Sequence, residues 1–339
     1  MAEEVTVACV GAGYWGKNLV RVFDVLPDAV VAKVCDRDPE IRRAVTDRYP
    51  DIAVVEDYRE VVDDPDVDGV VIAVPAVQHH EAAMQALERG KHVYVEKPMT
   101  LGTREARELV DTAARSDRIL MVGHLLMYHP AVTRLKEYVD SGELGDVYYL
   151  YSQRVNLGIV RKDENALWSL APHDISVVLH LLGELPARVS AHGQCYLQGT
   201  IEDVVFVNMH YGDGRIAHLH LSWLDPHKTR KLTVVGNRRM AVFDDEEGTE
   251  KLRIYDKGVE STDYDSYGDA LTLHLGDVVI PHIRMSEPLM LEAQHFVECV
   301  REGRRPLSDG ENGMHVVQVL EAAQTSLRNN GTAVDVSAA

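Results

Sequence analysis

Gly11-Ala12-Gly13-Tyr14-Trp15-Gly16 sets three glycines at the spacing G-x-G-x-x-G, directly after the apolar run Val5–Val10 and at the start of a stretch with helical spacing, Tyr14–Leu26. In that context the pattern reads as strand, tight turn and helix, with the helix N-terminus offering N–H groups and positive potential to a pyrophosphate. Gly11 permits the turn, Gly13 lets backbone approach the phosphates, and Gly16 lets the helix pack on the strand. Asp36 ends the second strand, 20 residues after Gly16. A carboxylate there accepts hydrogen bonds from the adenosine ribose hydroxyls and repels a 2′-phosphate, so the expected cofactor is NAD rather than NADP. Arg37 and Arg42 oppose that preference, because a guanidinium can hold the extra phosphate. Lys97 lies just past the end of another strand, His92–Val95, where open α/β sheets place their ligands.

The elements that must position these residues alternate. Strands are expected at Val5–Val10, Val30–Cys35, Val70–Val74, His92–Val95 and Ile119–Val122, and helices at Tyr14–Leu26, Glu40–Arg48, His80–Glu88 and Thr103–Arg115. Gly90 serves as a helix stop. This alternation predicts a parallel, doubly wound Rossmann sheet over residues 1–123. After Gly123, strands follow at Asp146–Asn156, Arg188–Cys195, Val204–His210, Arg215–Trp223, Lys231–Val235 and Ala241–Asp244, with one helix, His173–Leu182, inserted. That predicts an α+β domain over residues 124–339 with an open-faced, largely antiparallel sheet, for substrate binding and oligomerisation. Two helices, Pro288–Arg301 and Asn312–Leu327, end the chain. Asp244–Asp269, with ten acidic and three basic residues, reads as a surface excursion.

The chain has 339 residues, which favours two domains. Its formal net charge of −19 disfavours nucleic acid and anionic membrane as partners. No apolar run has the length of a membrane span, and Met1-Ala2-Glu3-Glu4 is not the start of a signal peptide. Cys9, Cys35, Cys195 and Cys299 have no metal or redox spacing. Cys9 and Cys35 fall in apolar strands and read as buried thiols in a reducing cytoplasm. His218 and His220 share one strand face without a cysteine or paired carboxylate nearby, so no metal is expected. Glu292, His295 and Cys299 share a helical face and read as packing residues.

The glycine loop together with Val74-Pro75, His79 and Gly90-Lys91-His92-Val93-Tyr94-Val95-Glu96-Lys97-Pro98 resembles the glucose–fructose oxidoreductase/inositol dehydrogenase (Gfo/Idh/MocA) family. The Glu-Lys-Pro element after a strand is its most specific mark. Within it, Gly13–Asn18, Arg154-Val155-Asn156-Leu157-Gly158, Leu167–Asp174 and Gly276–Pro281 resemble sugar 3-dehydrogenases that prepare a keto sugar for transamination. The resemblance implies a nicotinamide near Lys97 at the domain junction, with the substrate between it and the sheet. It implies cofactor contacts from Tyr14, Trp15, Arg37, Val74, Pro75, His79, Glu96, Lys97 and Trp168. It also implies substrate contacts from Tyr128, Arg154, Asn156, Arg161, Ser169 and Asp174.

Oxidising an alcohol requires a base for the hydroxyl proton while hydride leaves carbon, and histidine suits the first task. Among sixteen histidines, His173 matches the family's catalytic histidine; the pattern places it after Pro172 at a helix start. Lys97 matches the family's catalytic lysine and is expected to stabilise alkoxide character on the reacting oxygen. One position departs from the family: Ser169 stands where an aspartate is common, four residues before His173. A serine lends the imidazole no negative charge, so His173 is expected to be less basic, unless Asp174 or a substrate group substitutes.

The expected activity is NAD-dependent oxidation of a secondary ring hydroxyl, at carbon 3 of a sugar, in amino-sugar or aminoglycoside-type biosynthesis. The alternatives are a keto-sugar reductase, a UDP-sugar (uronate) 3-dehydrogenase, and a non-catalytic NAD(H)-binding regulator on the same fold. The acidic stretch Asp244–Asp269 slightly favours a cationic sugar, while Arg154 and Arg161 could hold a carboxylate or phosphate. Apolar residues on both faces of Val204–Tyr211 and Ile216–Trp223 predict a homodimer or homotetramer.

Overall fold

A computed structural model describes residues 4–158, 160–162, 164–260 and 272–336. The chain divides into two compact units, Met1–Tyr128 with Ser286–Gln318, and His129–Met285 with Val319–Ala339. The expected boundary at 123/124 lies five residues before the first crossover, but it assigned the whole C-terminal part to the second domain. Residues Ser286–Gln318 instead pack in the first unit, because Leu289, Ala293, Phe296 and Val297 bury their side chains with Phe23 and Tyr94 of the first sheet's layer.

In chain order the elements are β1 (Val5–Val10), α1 (Gly16–Asp24), β2 (Ala29–Cys35), α2 (Pro39–Arg48), β3 (Ala53–Val55), α3 (Arg59–Val62), β4 (Gly69–Ile72), α4 (His79–Glu88), β5 (His92–Glu96), α5 (Thr103–Ser116) and β6 (Leu120–Gly123). There follow α6 (Pro130–Asp140), β7 (Val147–Val155), α7 (Ala166–Leu182), β8 (Arg188–Gln194), β9 (Val204–His210), β10 (Ile216–Ser222), β11 (Thr229–Gly236), β12 (Met240–Asp244), β13 (Leu252–Glu260) and β14 (Thr272–Val279). The last are α8 (Pro288–Glu302), α9 (Gly310–Arg328) and β15 (Val334–Asp335).

The first unit holds a parallel sheet in the order β3-β2-β1-β4-β5-β6. This is the doubly wound order, and it sets every strand's carboxyl end on one edge, where ligands bind. Strands β4, β5 and β6 are buried almost throughout and therefore carry continuous apolar runs such as Val70-Val71-Ile72. Phe23, Tyr94 and Phe296 meet edge to face, with ring centres 5.9–6.2 Å apart, and pin α1 and α8 against the sheet.

The second unit is built on a sheet in the order β14-β13-β12-β11-β7-β10-β9-β8-β15. Its pairings are antiparallel apart from β7 with β10. Side chains alternate between its faces: Leu150, Val205, Val207, Ala217 and Leu219 are buried, while Tyr149, Tyr151 and Phe206 between them remain exposed. The excursion beginning at Asp244 contains β13, which pairs with β14 as a hairpin. Its residues 261–269 lie outside the described residues. Among the described residues no helix is long and apolar enough to cross a membrane.

Candidate active site

At the carboxyl edge of the first sheet, the glycine loop is shaped by space. Gly11 has φ +84°, and a Cβ there would stand 2.7 Å from the Ala73 carbonyl oxygen. At Gly16 a Cβ would collide with the Gly11 carbonyl. A Cβ on Gly13, by contrast, would meet nothing nearer than Ile41 Cδ1 at 4.0 Å. Two glycines therefore serve the turn itself, and the third leaves an open approach to the backbone, which is the cradle a pyrophosphate needs.

Asp36 faces the same place. Its Oδ2 accepts from the Ala12 N–H at 2.8 Å and its Oδ1 from the Asp38 N–H at 2.9 Å. These bonds fix the carboxylate against the glycine loop, and each oxygen keeps a lone pair for a ribose hydroxyl. Gly11, Gly13, Asp36, Arg37, Val74 and Pro75 line one cleft of about 830 Å³. The cleft also presents Glu56, Asp57 and Glu81, which a 2′-phosphate would have to approach. Arg42 is not free to offset them. Its guanidinium donates to the Asp36 and Arg37 carbonyls at 2.9 and 2.8 Å and pairs with Glu56 at 2.7 Å. Arg37 remains exposed at the cleft. Tyr14 is 78% exposed beside the glycine loop, with the Lys17 ammonium 5.7 Å from its ring centre. The residues present fit a nicotinamide dinucleotide that lacks the 2′-phosphate.

The turn after β5 carries Lys97, half-buried, with a cis bond to Pro98. His79 braces this turn. Its Nδ1 lies 2.7 Å from the Pro98 carbonyl and its Nε2 2.8 Å from the Val74 carbonyl, tying the ends of β4 and β5 together. The ring is 1% exposed, and in its neutral form it has one N–H to give to these two carbonyls. Burial lowers its pKa against those two hydrogen bonds. Glu96 is also buried. Its Oε1 accepts from Trp15 Nε1 at 2.5 Å and its Oε2 from the Lys97 N–H at 3.2 Å, so it links the glycine loop to the lysine turn rather than facing a ligand. Sequence reasoning missed His124, directly after β6. Both of its ring nitrogens are buried without a protein partner, and burial together with the Lys97 charge pushes its pKa down to about 3.

In the second unit, α7 begins earlier than expected. Asn165 caps it by accepting from the Trp168 N–H at 3.1 Å, so the helix starts at Ala166. Pro172 and the half-buried His173 thus lie inside the helix, not at its start. Trp168 donates its indole N–H to Gln324 at 3.1 Å, and Ser169 is buried within the first turn. Asp174 is fully engaged: Ser152 Oγ donates to its Oδ1 at 2.6 Å and Arg154 Nε to its Oδ2 at 2.6 Å. Arg154 and Asp174 are 8% and 6% exposed.

The expected substrate contacts have protein partners of their own. Arg154 and Asp174 pair in the interior, where Asp174 accepts from Ser152 as well. Tyr128 belongs to the first unit's core, where its hydroxyl lies 2.9 Å from Ser308 Oγ and its ring packs 5.3 Å from His295. Arg161 is exposed and pairs with Glu164 at 3.3 Å. Asn156 is half-buried with its side chain folded over Gly158. The acidic stretch is also self-neutralised where described. Asp244 pairs with Lys231, Asp245 with His129, Arg230 and Lys251, Glu246 with Lys228 and Arg230, and Glu247 and Glu250 with Arg253. Asp256 pairs with Arg239 and His274. Charges spent in this way project little field to steer a cationic sugar.

A glycine cradle, an aspartate held beside it and a lysine at the carboxyl end of β5 fit a nicotinamide-dinucleotide oxidoreductase. The chain belongs to the GFO/IDH/MocA oxidoreductase family: residues 5–124 match its NAD-binding Rossmann fold and residues 132–242 its C-terminal domain. It is 27% identical to scyllo-inositol 2-dehydrogenase (NAD(+)) of Bacillus subtilis (strain 168), over 97% of this chain and 96% of that protein. The solved structure of GenD2 from gentamicin A biosynthesis, in complex with NAD, is 25% identical with TM-score 0.82, covering 99% of this chain and 97% of that one. UDP-N-acetylglucosamine 3-dehydrogenase GnnA from Acidithiobacillus ferrooxidans shares the fold at TM-score 0.81 and 24% identity, covering 96% of this chain and 98% of that one. The protein is thus an NAD-dependent enzyme of a family that holds sugar and polyol dehydrogenases acting on CH–OH groups.

Proposed function

We propose that this enzyme oxidises a secondary ring hydroxyl of a sugar, at carbon 3, to a ketone destined for transamination in amino-sugar or aminoglycoside-type biosynthesis. The observation that carries the reading is the pairing of the Asp36-bearing dinucleotide cleft with Lys97 at the carboxyl end of β5 in one unit. The similarity to an inositol dehydrogenase supports a ring carbinol as the reacting group, and that to GenD2 supports the biosynthetic setting. Bound NAD supplies the hydride acceptor. Lys97 hydrogen-bonds the reacting oxygen as negative charge develops on it. His173 takes the hydroxyl proton and returns it to solvent. The test is incubation with NAD and a panel of inositols, aminoglycosides and nucleotide sugars, followed by NADH absorbance. Reduced cofactor should form with a ring sugar or polyol. Cofactor binding with no turnover on any of them would favour a non-catalytic regulator instead.

The same reading sets cofactor choice. NAD should bind more tightly than NADP by calorimetry, and Asp36→Ala should narrow the difference, because the carboxylate both holds the ribose and repels the 2′-phosphate. Equal affinities in the unsubstituted enzyme would remove Asp36 from that role.

Association through the outer face of the second sheet completes the proposal. Tyr149, Tyr151, Phe206 and Ile216 stand there at 38–44% exposure. Tyr149 stacks on Tyr151, and Phe206 on His220 at 4.5 Å, giving a continuous aromatic surface whose burial would favour a homodimer or homotetramer. Light scattering at micromolar concentration should give at least twice the chain mass, and Phe206→Glu should lower it. A monomeric mass for the unsubstituted protein would reject this part.

A further inference from the structure

A second carboxylate lies beneath the Lys97 turn, in a place the reaction itself does not use. Glu292, on α8, is 0% exposed. The Tyr94 hydroxyl lies 3.0 Å from its Oε2, and the same hydroxyl lies 3.5 Å from Glu96 Oε1. Glu292 Oε1 has no hydrogen-bond partner. The site is closed as well as buried: on β6, a Cβ at Gly123 would stand 2.8 Å from the Tyr94 hydroxyl and 3.1 Å from Glu96 Oε1. Tyr128, the other titratable group facing Glu292 from outside its helix, spends its hydroxyl on Ser308.

Donor supply distinguishes the two carboxyl groups. Glu96 receives the Trp15 indole N–H and the Lys97 backbone N–H. Glu292 has one hydroxyl beside it. Two carboxylates around a single hydroxyl in a water-free site cannot both ionise cheaply, and the better-supplied one keeps the charge. We infer that Glu292 is a positioning residue that works as a neutral acid: its Oε2 proton is given to the Tyr94 hydroxyl oxygen, whose own proton turns to Glu96, which leaves Glu96 as the one negative charge behind Lys97 and so holds the lysine turn against the glycine loop. The inference rests on the proposed role of Lys97. Burial first and the Glu96 charge second raise the Glu292 pKa well above the ordinary range, in agreement with this assignment.

The sign of the pH dependence follows. A group protonated in the folded state but ionised in the unfolded one costs stability as pH rises from the ordinary glutamate range towards its folded pKa. Glu292→Gln fixes the neutral form, so its thermal midpoint should gain on that of the unsubstituted enzyme as pH is raised from about 4.3, while kcat at neutral pH stays within about twofold. An alkaline fall in kcat should weaken in the variant. Infrared spectroscopy of the unsubstituted holoenzyme at neutral pH should show a protonated carboxyl band that Glu292→Gln removes. Should the variant not fold, Tyr94→Phe replaces it, and the band should then shift as its hydroxyl partner is lost. A pH-independent difference in midpoint, a tenfold loss of neutral kcat, or a carboxyl band unmoved by both substitutions would overturn the inference. The stability and infrared results do not need a known substrate. A band at Glu292 without any turnover would therefore fault the proposed reaction and leave this proton assignment standing.

Discussion

Lys97→Ala and His173→Ala should each lower kcat by about a hundredfold or more and leave NAD affinity within a few-fold of the unsubstituted enzyme. Removing one positioned proton-transfer group commonly costs two to four orders of magnitude. The residues proposed to grip the dinucleotide, Gly11, Gly13 and Asp36, line a cleft of their own, so binding and turnover should separate. Lys97→Arg should restore little, because a planar guanidinium cannot replace a compact ammonium on one oxygen. His173 carries no aspartate four residues before it; Ser169 stands there instead. A His173→Ala enzyme with near-normal kcat would remove that residue from the mechanism.

The second large effect is on stability. Asp174→Ala should destabilise the enzyme by about 3–5 kcal/mol, because it leaves the Arg154 guanidinium buried without its counter-ion. For a unit of this size that is a fall in thermal midpoint on the order of 10 °C. Ser152 would lose its acceptor as well. Adding Arg154→Met should recover most of the loss, since removing both charges also removes the desolvation cost. A single variant with an unchanged midpoint would mean that the pair is solvated, contrary to its 8% and 6% exposure.

What the sequence shows and hides follows from the range of each interaction. The glycine loop and Asp36 are legible because turn, helix start and strand end are set by neighbours in sequence. The long apolar strands are legible for the same reason. β3 and α3 are not legible: at three and four residues they are too short to show a period. α6 was passed over although His129 and Pro130 form a capped helix start, with His129 Nδ1 accepting from the Ala131 N–H. The true start of α7 also had a local signal, Asn165 as a cap, which Pro172 obscured. Arg154 and Asp174 are different. They meet only because β7 and α7 pack together, and nothing in the spacing of an arginine and an aspartate 20 residues apart announces it. Tyr128 follows Leu125-Leu126-Met127, an apolar run that argues for the core rather than the substrate. Glu292 shares its helix face with Leu289, Ala293 and Phe296, and a carboxylate inside an apolar face is a readable mark of a buried acid.

The central claim is hydride transfer from a ring carbon to NAD, and isotope transfer tests it most directly. A ring sugar or inositol that supports turnover should be prepared with deuterium on the reacting carbinol carbon, carbon 3 for a hexose. After reaction, mass spectrometry should find the deuterium in the reduced nicotinamide and a keto sugar lighter by the label and one hydrogen, with both formed about a hundredfold more slowly by Lys97→Ala. Unlabelled reduced cofactor, or a product that keeps its deuterium, would contradict the account.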